Sequence, residues 1–171
     1  MANQTGNYYE INPDTIAVMA SEENGRRISQ VLETNESFFV EQLPSKIVDR
    51  SCKFFGSSLK GRQEGVKEIC GVRHKVPVSV DPSNGMYFFP TASPSNFNCS
   101  WISHSHIEKV NRAPEQCTEI IFKNGTSILL EVSPGSILNQ VQRTAQYRYL
   151  LEYRIKYLAK NNADIIADPF S

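Results

Sequence analysis

No apolar run in this chain approaches the roughly 18 residues that a membrane-spanning helix requires, so no span and no membrane partner are expected. The opening residues, MANQTGNYYE, have neither a basic start nor an apolar stretch, and they do not read as a secretory signal. No two of the cysteines, Cys52, Cys70, Cys99 and Cys117, form a C-x-x-C pair. That spacing argues against a zinc ribbon or a thioredoxin-like motif, and free thiols in a reducing cytoplasm are expected. Internal repeats and low-complexity tracts are lacking. So are a helix-turn-helix pattern, a zinc finger and a heptad array with a basic region. The stretch GSSLKGR, Gly56 to Arg62, does not have the spacing of a phosphate-cradling P-loop.

Chemistry-bearing clusters are equally sparse. His104-Ser105-His106 is the one metal-like spacing. On a strand, residues two apart share a face, so these imidazoles would need Cys99 or an acid to complete a site. No second ligand pair accompanies them, and no nucleophile motif surrounds Cys99 or Ser103. The expectation is no metal, no cofactor and no enzymatic activity.

What is present is charge arranged in blocks. The formal net charge of zero hides an uneven distribution. Residues 1–45 hold two basic and seven acidic side chains, whereas residues 46–75 hold eight basic and three acidic. Residues 136–160 are again basic. Two basic blocks separated in sequence can form one positive surface, suited to an anionic polymer. The plainer reading is a pair of solvated faces.

At 171 residues the chain is long enough for one domain with a sizeable core, taken as residues 1–171. Strands are expected at 14–20, 26–33 and 37–43, with a turn at Asn24-Gly25. Ser45 is placed to cap a short central helix through Ile47, Val48, Cys52 and Phe55, which Gly56 ends. Gly61 and Gly65 argue for a loop or broken helix over 57–65. Strands are expected again at 66–73, 76–80, 86–89 and 101–111. Asp81 to Gly85 is a turn, and 91–98 a surface loop. Thr118–Phe122 and Ser127–Val132 read as a hairpin, with Asn124-Gly125 suited to a type I′ turn. Ser136 is placed to cap a long C-terminal helix to about Lys160, followed by a short tail over 161–171. The fold class is α+β: a β-rich body, a short central helix and one long C-terminal helix.

That long helix has two apolar sides at 100° per residue. Ile137, Val141, Ala145, Tyr149 and Ile155 fall on one. Tyr147, Leu150, Leu151 and Leu158 fall on the other and are candidates for self-association. Arg148 and Glu152 are spaced to pair at i,i+4. Phe88 or Phe89, whichever points inward, and Trp101 are expected to pack rather than stack on bases.

Two stretches are more specific than a generic core needs. One is KIVDRSCKFFGSSLKGR, Lys46 to Arg62. The other is VDPSNGMYFFP with NCSWISHSHI, within Val80 to Ile107. Together with TIAV (Thr15 to Val18), the strand and turn near Asn124-Gly125, and NQVQRTA (Asn139 to Ala145), they resemble the competence transcription factor family, ComK. The resemblance spans roughly residues 8–155. It implies a cytoplasmic, sequence-specific DNA-binding activator of DNA-uptake genes, acting as dimers that assemble further on DNA. It implies binding to paired A/T-rich boxes, largely through the minor groove, with bending. RNA polymerase and an adaptor of a regulatory protease are the implied protein partners. Relatives in this family continue past the long helix with a tail linked to activation and to adaptor-guided proteolysis, whereas this chain stops at Ser171.

With that resemblance, Lys46, Arg50, Lys53, Lys60 and Arg62 are the leading DNA candidates. A narrowed A-tract minor groove carries enhanced negative potential that attracts Arg and Lys. Ser57 and Ser58 offer hydroxyls, and Gly56 and Gly61 allow close backbone approach to phosphates. Arg73, His74 and Lys75 are a second, lesser group, and Arg143 on the long helix is a further candidate, with Arg143, Arg148 and Arg154 as the alternative DNA face. A protein-binding regulatory module without DNA affinity is the alternative reading.

Overall fold

A seven-stranded sheet covered on both faces organises the computed structural model, which describes residues 5–167. Its strands are β1 (Thr5–Gly6), β2 (Thr15–Glu23), β3 (Arg26–Glu33), β4 (Ser37–Val40), β5 (Val78–Asp81), β6 (Met86–Pro90) and β7 (Trp101–Ser103). They run in the order β1-β4-β3-β2-β7-β6-β5. All neighbours are antiparallel except β1 and β4. A second, antiparallel sheet joins β8 (Ile107–Arg112), β9 (Thr118–Phe122) and β10 (Ser127–Leu130) in the order β10-β9-β8. The helices are α1 (Pro44–Phe54), α2 (Leu59–Cys70) and α3 (Pro134–Ala167). The architecture is α+β and β-rich, ending in a long helix.

Two-sided burial explains the weak alternation in sequence. Successive residues of a strand point to opposite faces, and here both faces need apolar side chains. Val18, Val31, Phe88 and Trp101 meet Ile47, Val48 and Cys52 of α1. Their neighbours Ala17, Leu32, Phe89 and Ile102 meet Ile120, Phe122, Leu130 and Ile137 from the second sheet and α3. Phe88 and Phe89 are therefore both core, one in each layer, rather than one inside and one out. Truncating either ring to Ala would cost about 3–5 kcal/mol. Trp101 is fully buried, and its Nε1 donates to Ser45 Oγ at 3.1 Å.

Several local expectations are corrected. The stretch 57–73 is neither loop nor strand but mostly α2. Ser58 caps it, its Oγ accepting the Gly61 N–H at 2.9 Å. Leu59, Val66, Ile69 and Cys70 turn inward at helical spacing, Val66 and Ile69 toward Tyr87 and Tyr147. Packing of that stripe overrides two helix glycines, each about 1 kcal/mol unfavourable relative to Ala. There are thus two central helices. α1 begins at Pro44 in the first helical position after Leu43, so Ser45 is not its cap. α3 is capped by Ser133, whose Oγ accepts the Ser136 N–H at 3.3 Å, and not by Ser136. It continues past Lys160 to Ala167, where a tail was expected; residues 168–171 of that tail lie outside the described residues.

The expected strand over 101–111 is interrupted. β7 and β8 belong to different sheets, and a 3₁₀ turn over His104–His106 carries the chain between them. The type I′ geometry belongs to Asn24 (φ 52°) and Gly25 (φ 77°), which close the β2–β3 hairpin in two residues. At the β9–β10 turn only Gly125 is left-handed (φ 88°), so that loop is not type I′. It closes through the Gly125 N–H to Phe122 O at 2.9 Å.

Candidate nucleic-acid interface

The exposed side of α1 carries the densest set of candidate cations. Ile47, Val48, Ser51 and Cys52 face the core, which leaves Lys46, Asp49, Arg50, Lys53 and Phe54 on the outer side. The spacing i, i+3/i+4, i+7 places Lys46, Arg50 and Lys53 along one surface strip. The segment before β2 lies over that strip. It is tied there by Ser51 Oγ, which accepts the Ile11 N–H at 3.0 Å and donates to Ile47 O at 2.8 Å. Between them lies an open groove of about 480 Å³, lined by Tyr8, Glu10, Lys46, Arg50, Lys53 and Phe54, with Asp49 also on its wall. Arg50 sits over the Tyr8 ring, 5.3 Å from its centre. The Tyr8 hydroxyl is bonded to the Glu10 carboxylate, which raises its pKa.

α1 turns into α2 through a tight corner. Phe55 N–H and Ser57 N–H both reach Cys52 O, and Gly56 N–H reaches Lys53 O, at 3.0–3.1 Å. Gly56 takes φ 81°, a conformation that favours glycine. Asp49 fastens the corner by accepting the Leu59 N–H at 2.9 Å and pairing with Lys53 at 2.9 Å. Burial acts to raise the Asp49 carboxyl, but the Leu59 bond and the nearby Lys53 and Lys46 outweigh it and lower its pKa. Beyond the corner, Ser57 and Ser58 are half-buried, and the Ser58 hydroxyl is used as the α2 cap. Lys60 stands exposed in the first turn of α2.

Arg62, expected among the DNA contacts, does not stand with these cations. It turns inward from α2, where its Nε is covered and its Nη2 donates to Val80 O at 3.4 Å. The cause is a bulge. β5 slips register against β6 between Ser79 and Asp81, which leaves the intervening Val80 outside the paired ladder. Close by, burial pushes the Cys52 thiol up to about 11, against the opposing pull of Arg62.

The second basic group lies past the other end of α2. A helix of 12 residues is about 18 Å long, so α2 separates it from Lys60. Arg73, His74 and Lys75 are exposed there, and Arg143 of α3 donates from Nη1 to His74 O at 3.4 Å. Lys75 is left-handed (φ 50°), which costs a non-glycine residue about 1 kcal/mol. The buried Gln140 holds it there, its Nε2 donating to Lys75 O at 2.9 Å and Pro90 O at 2.8 Å. Lys46, Arg50, Lys53 and Lys60 are thus brought around one corner, while Arg73, Lys75 and Arg143 form a separate cluster.

The apolar residues of α3 also divide differently than expected. Tyr147 is only 3% exposed and packs edge-on to Tyr87 at 5.6 Å, with Leu151 beside the same cluster. Both, expected among the self-association residues, face the protein's own body. The body-facing stripe is Ile137, Gln140, Thr144, Tyr147 and Leu151. Ile155 and Leu158 continue it beyond the body and are exposed, while Tyr149, Tyr153 and Tyr157 line the opposite side. Arg148 pairs with Glu152 at 3.0 Å as its spacing predicts, and also donates to Ser105 Oγ at 2.7 Å.

His104 and His106 no longer share a strand face. His106 Nε2 lies 2.8 Å from Pro13 O, and His104 is half-buried between β8 and α3. Among the described residues, no group of three or more His, Cys, Asp or Glu is placed to hold a metal ion. None of the described helices is long and apolar enough to cross a membrane.

An α+β body with cations gathered at an exposed helix corner is the setting for the sequence comparisons. The chain belongs to the ComK family, whose protein model matches residues 6–156. That match contains both basic groups and most of α3. The competence transcription factor of Bacillus subtilis (strain 168) is 40% identical over 161 residues, which cover 94% of this chain and 84% of that protein. No solved structure matches the chain.

Proposed function

We propose that this protein is a cytoplasmic transcriptional regulator of competence that activates genes by binding A/T-rich DNA at the α1–α2 corner. The observation that carries the reading is the clustering of Lys46, Arg50, Lys53 and Lys60 around that corner in a member of the ComK family. Lys53 and Lys60 meet phosphates. Arg50, a planar donor one turn back on α1, enters the minor groove, where narrow A-tracts concentrate negative potential. Arg73, Lys75 and Arg143 extend the contact along the duplex. The protein bends its DNA and binds paired boxes as a dimer, with RNA polymerase and a protease adaptor as partners, and performs no catalysis. Residues 1–171 act as one DNA-binding unit. Self-association uses the outer half of α3, where Ile155 and Leu158 continue the apolar stripe past the body and leave it uncovered.

The test is a salt series of binding to an A/T-box duplex and to a scrambled duplex. Removing one cation from a phosphate should flatten the slope of log affinity against log salt by roughly 0.9. Lys53→Ala and Lys60→Ala should each do so on both duplexes, whereas Arg50→Ala should weaken the A/T-box complex more. Folded variants with parental affinity and slope would move the DNA face to Arg73, Lys75 and Arg143. Duplex binding without any salt dependence, or none at all, would favour a protein-binding module.

A further inference from the structure

Phe54 and Phe55 close α1 with their rings in the open. They are 64% and 37% exposed, and they pack edge-to-face with centroids 5.0 Å apart. Single exposed apolar residues are ordinary on protein surfaces. These two are adjacent, and they sit on the corner that Asp49 and three backbone bonds hold in place. Lys53 precedes them and Lys60 follows across the corner, both exposed. Arg50 lies one helical turn behind Phe54, and the two share the α1 groove.

Size and charge decide what covers such a pair. A stable protein interface buries about 800 Å² on each partner, with charge depleted from its centre. Two rings, one of them lining a groove whose wall carries Lys46, Arg50 and Lys53 along with Tyr8, Glu10 and Asp49, do not provide that. They do fit a narrow, polyanionic slot with flat apolar walls, which is a base-pair step opened from the minor groove. That groove is about 6 Å wide and admits the edge of one ring. Minor-groove proteins insert apolar side chains between base steps, unstack them and kink the duplex.

We infer that Phe54 is an intercalating wedge: its ring enters a base step of the A/T-rich site, Phe55 braces it edge-on, and Lys53 and Lys60 hold phosphates on either side. The inference rests on the proposed DNA-binding role and adds to it the residue that kinks the duplex. The corner suits this use, because a wedge must not fold away under load. Flexible pyrimidine–purine steps such as TA unstack most easily and are the expected point of entry.

The experiment uses the full chain and an A/T-box duplex carrying a fluorophore pair at its ends and 2-aminopurine at a TA step. Parental protein should shorten the end-to-end distance and brighten the 2-aminopurine. Phe54→Ala should abolish both signals and weaken binding about tenfold, a typical effect of removing one stacked aromatic. The salt slope should not change, because the ring touches no phosphate. Phe54→Leu, still an apolar wedge, should retain most of the bend. Circular dichroism checks that each variant folds. Parental protein that binds and bends DNA while Phe54→Ala does so equally well would overturn the wedge and leave the DNA-binding role standing. Parental protein with no salt-dependent duplex binding would overturn both. A change of oligomeric state without DNA in Phe54→Ala would make the pair a protein contact and overturn the wedge.

Discussion

Asp49 accepts the backbone N–H of Leu59 at 2.9 Å, so a carboxylate in the middle of α1 fixes the first residue of α2. The same carboxylate neutralises Lys53. One side chain therefore both shapes the corner and restrains its charge. Asp49→Asn retains an acceptor for the Leu59 N–H, while Asp49→Ala does not. The Ala variant should lose about 1–2 kcal/mol of stability and the Asn variant less, measured by urea unfolding. Both free Lys53, so the Asn variant should bind duplex DNA more tightly than the parent at low salt. Equal or weaker binding by a folded Asn variant would count against Lys53 as a phosphate ligand.

Arg62 separates a cation that supports the fold from cations that face outward. Its removal leaves Val80 O without its donor at the β5 bulge. Arg62→Ala should lower stability by about 1 kcal/mol while leaving the salt slope of DNA binding unchanged. Lys60→Ala should give the opposite pattern. A flattened salt slope in Arg62→Ala would return this residue to the DNA face.

Much of this was legible in the sequence, and the misses have physical causes. The β2–β3 hairpin is visible because Asn24-Gly25 is local turn chemistry, and the Arg148–Glu152 pair because it depends only on helical spacing. α2 was obscured because Gly61 and Gly65 signal a break, while its stabilising contacts come from Tyr87 and Tyr147, distant in sequence. The inward stripe of Leu59, Val66, Ile69 and Cys70 was the signal available. Of the candidate site, the α1 row follows from periodicity. The inward turn of Arg62 could not, since it answers a bulge in another element. Nor could Gln140, a polar residue on a helix face that binds two carbonyls from separate loops and strands.

The outer half of α3 offers a direct test of assembly. Leu151 belongs to the body, so changing it confuses folding with association. Ile155→Asp with Leu158→Asp alters only exposed positions beyond the body. This pair should shift sedimentation toward monomer with unchanged circular dichroism. An unchanged oligomer would exclude these residues, and Tyr149→Asp with Tyr153→Asp then tests the opposite side.

His104 gives the fold a pH dependence of known sign. Burial lowers its pKa first, and Arg148 and Lys123 lower it further, against the Val141 backbone contact that raises it. Below the ordinary histidine value of about 6.5 the unfolded chain takes up a proton that the folded protein resists. The stabilising contribution is therefore complete above that value and is lost as pH falls through the folded pKa. Urea midpoints at pH 7.5 and 5.5 should drop more for the parent than for His104→Asn. Identical drops would show that His104 does not contribute.

The ends of the large sheet have a consequence for the self-association proposed above. One edge is β1, which spans two residues among those described. The other is β5, bulged at Val80, where Arg62 from α2 reaches across to the open carbonyl. Short or covered edges offer little unpaired backbone for another chain to template on. If copies gather on DNA as proposed, their local concentration rises without inviting the strand-to-strand fusion that seeds fibres.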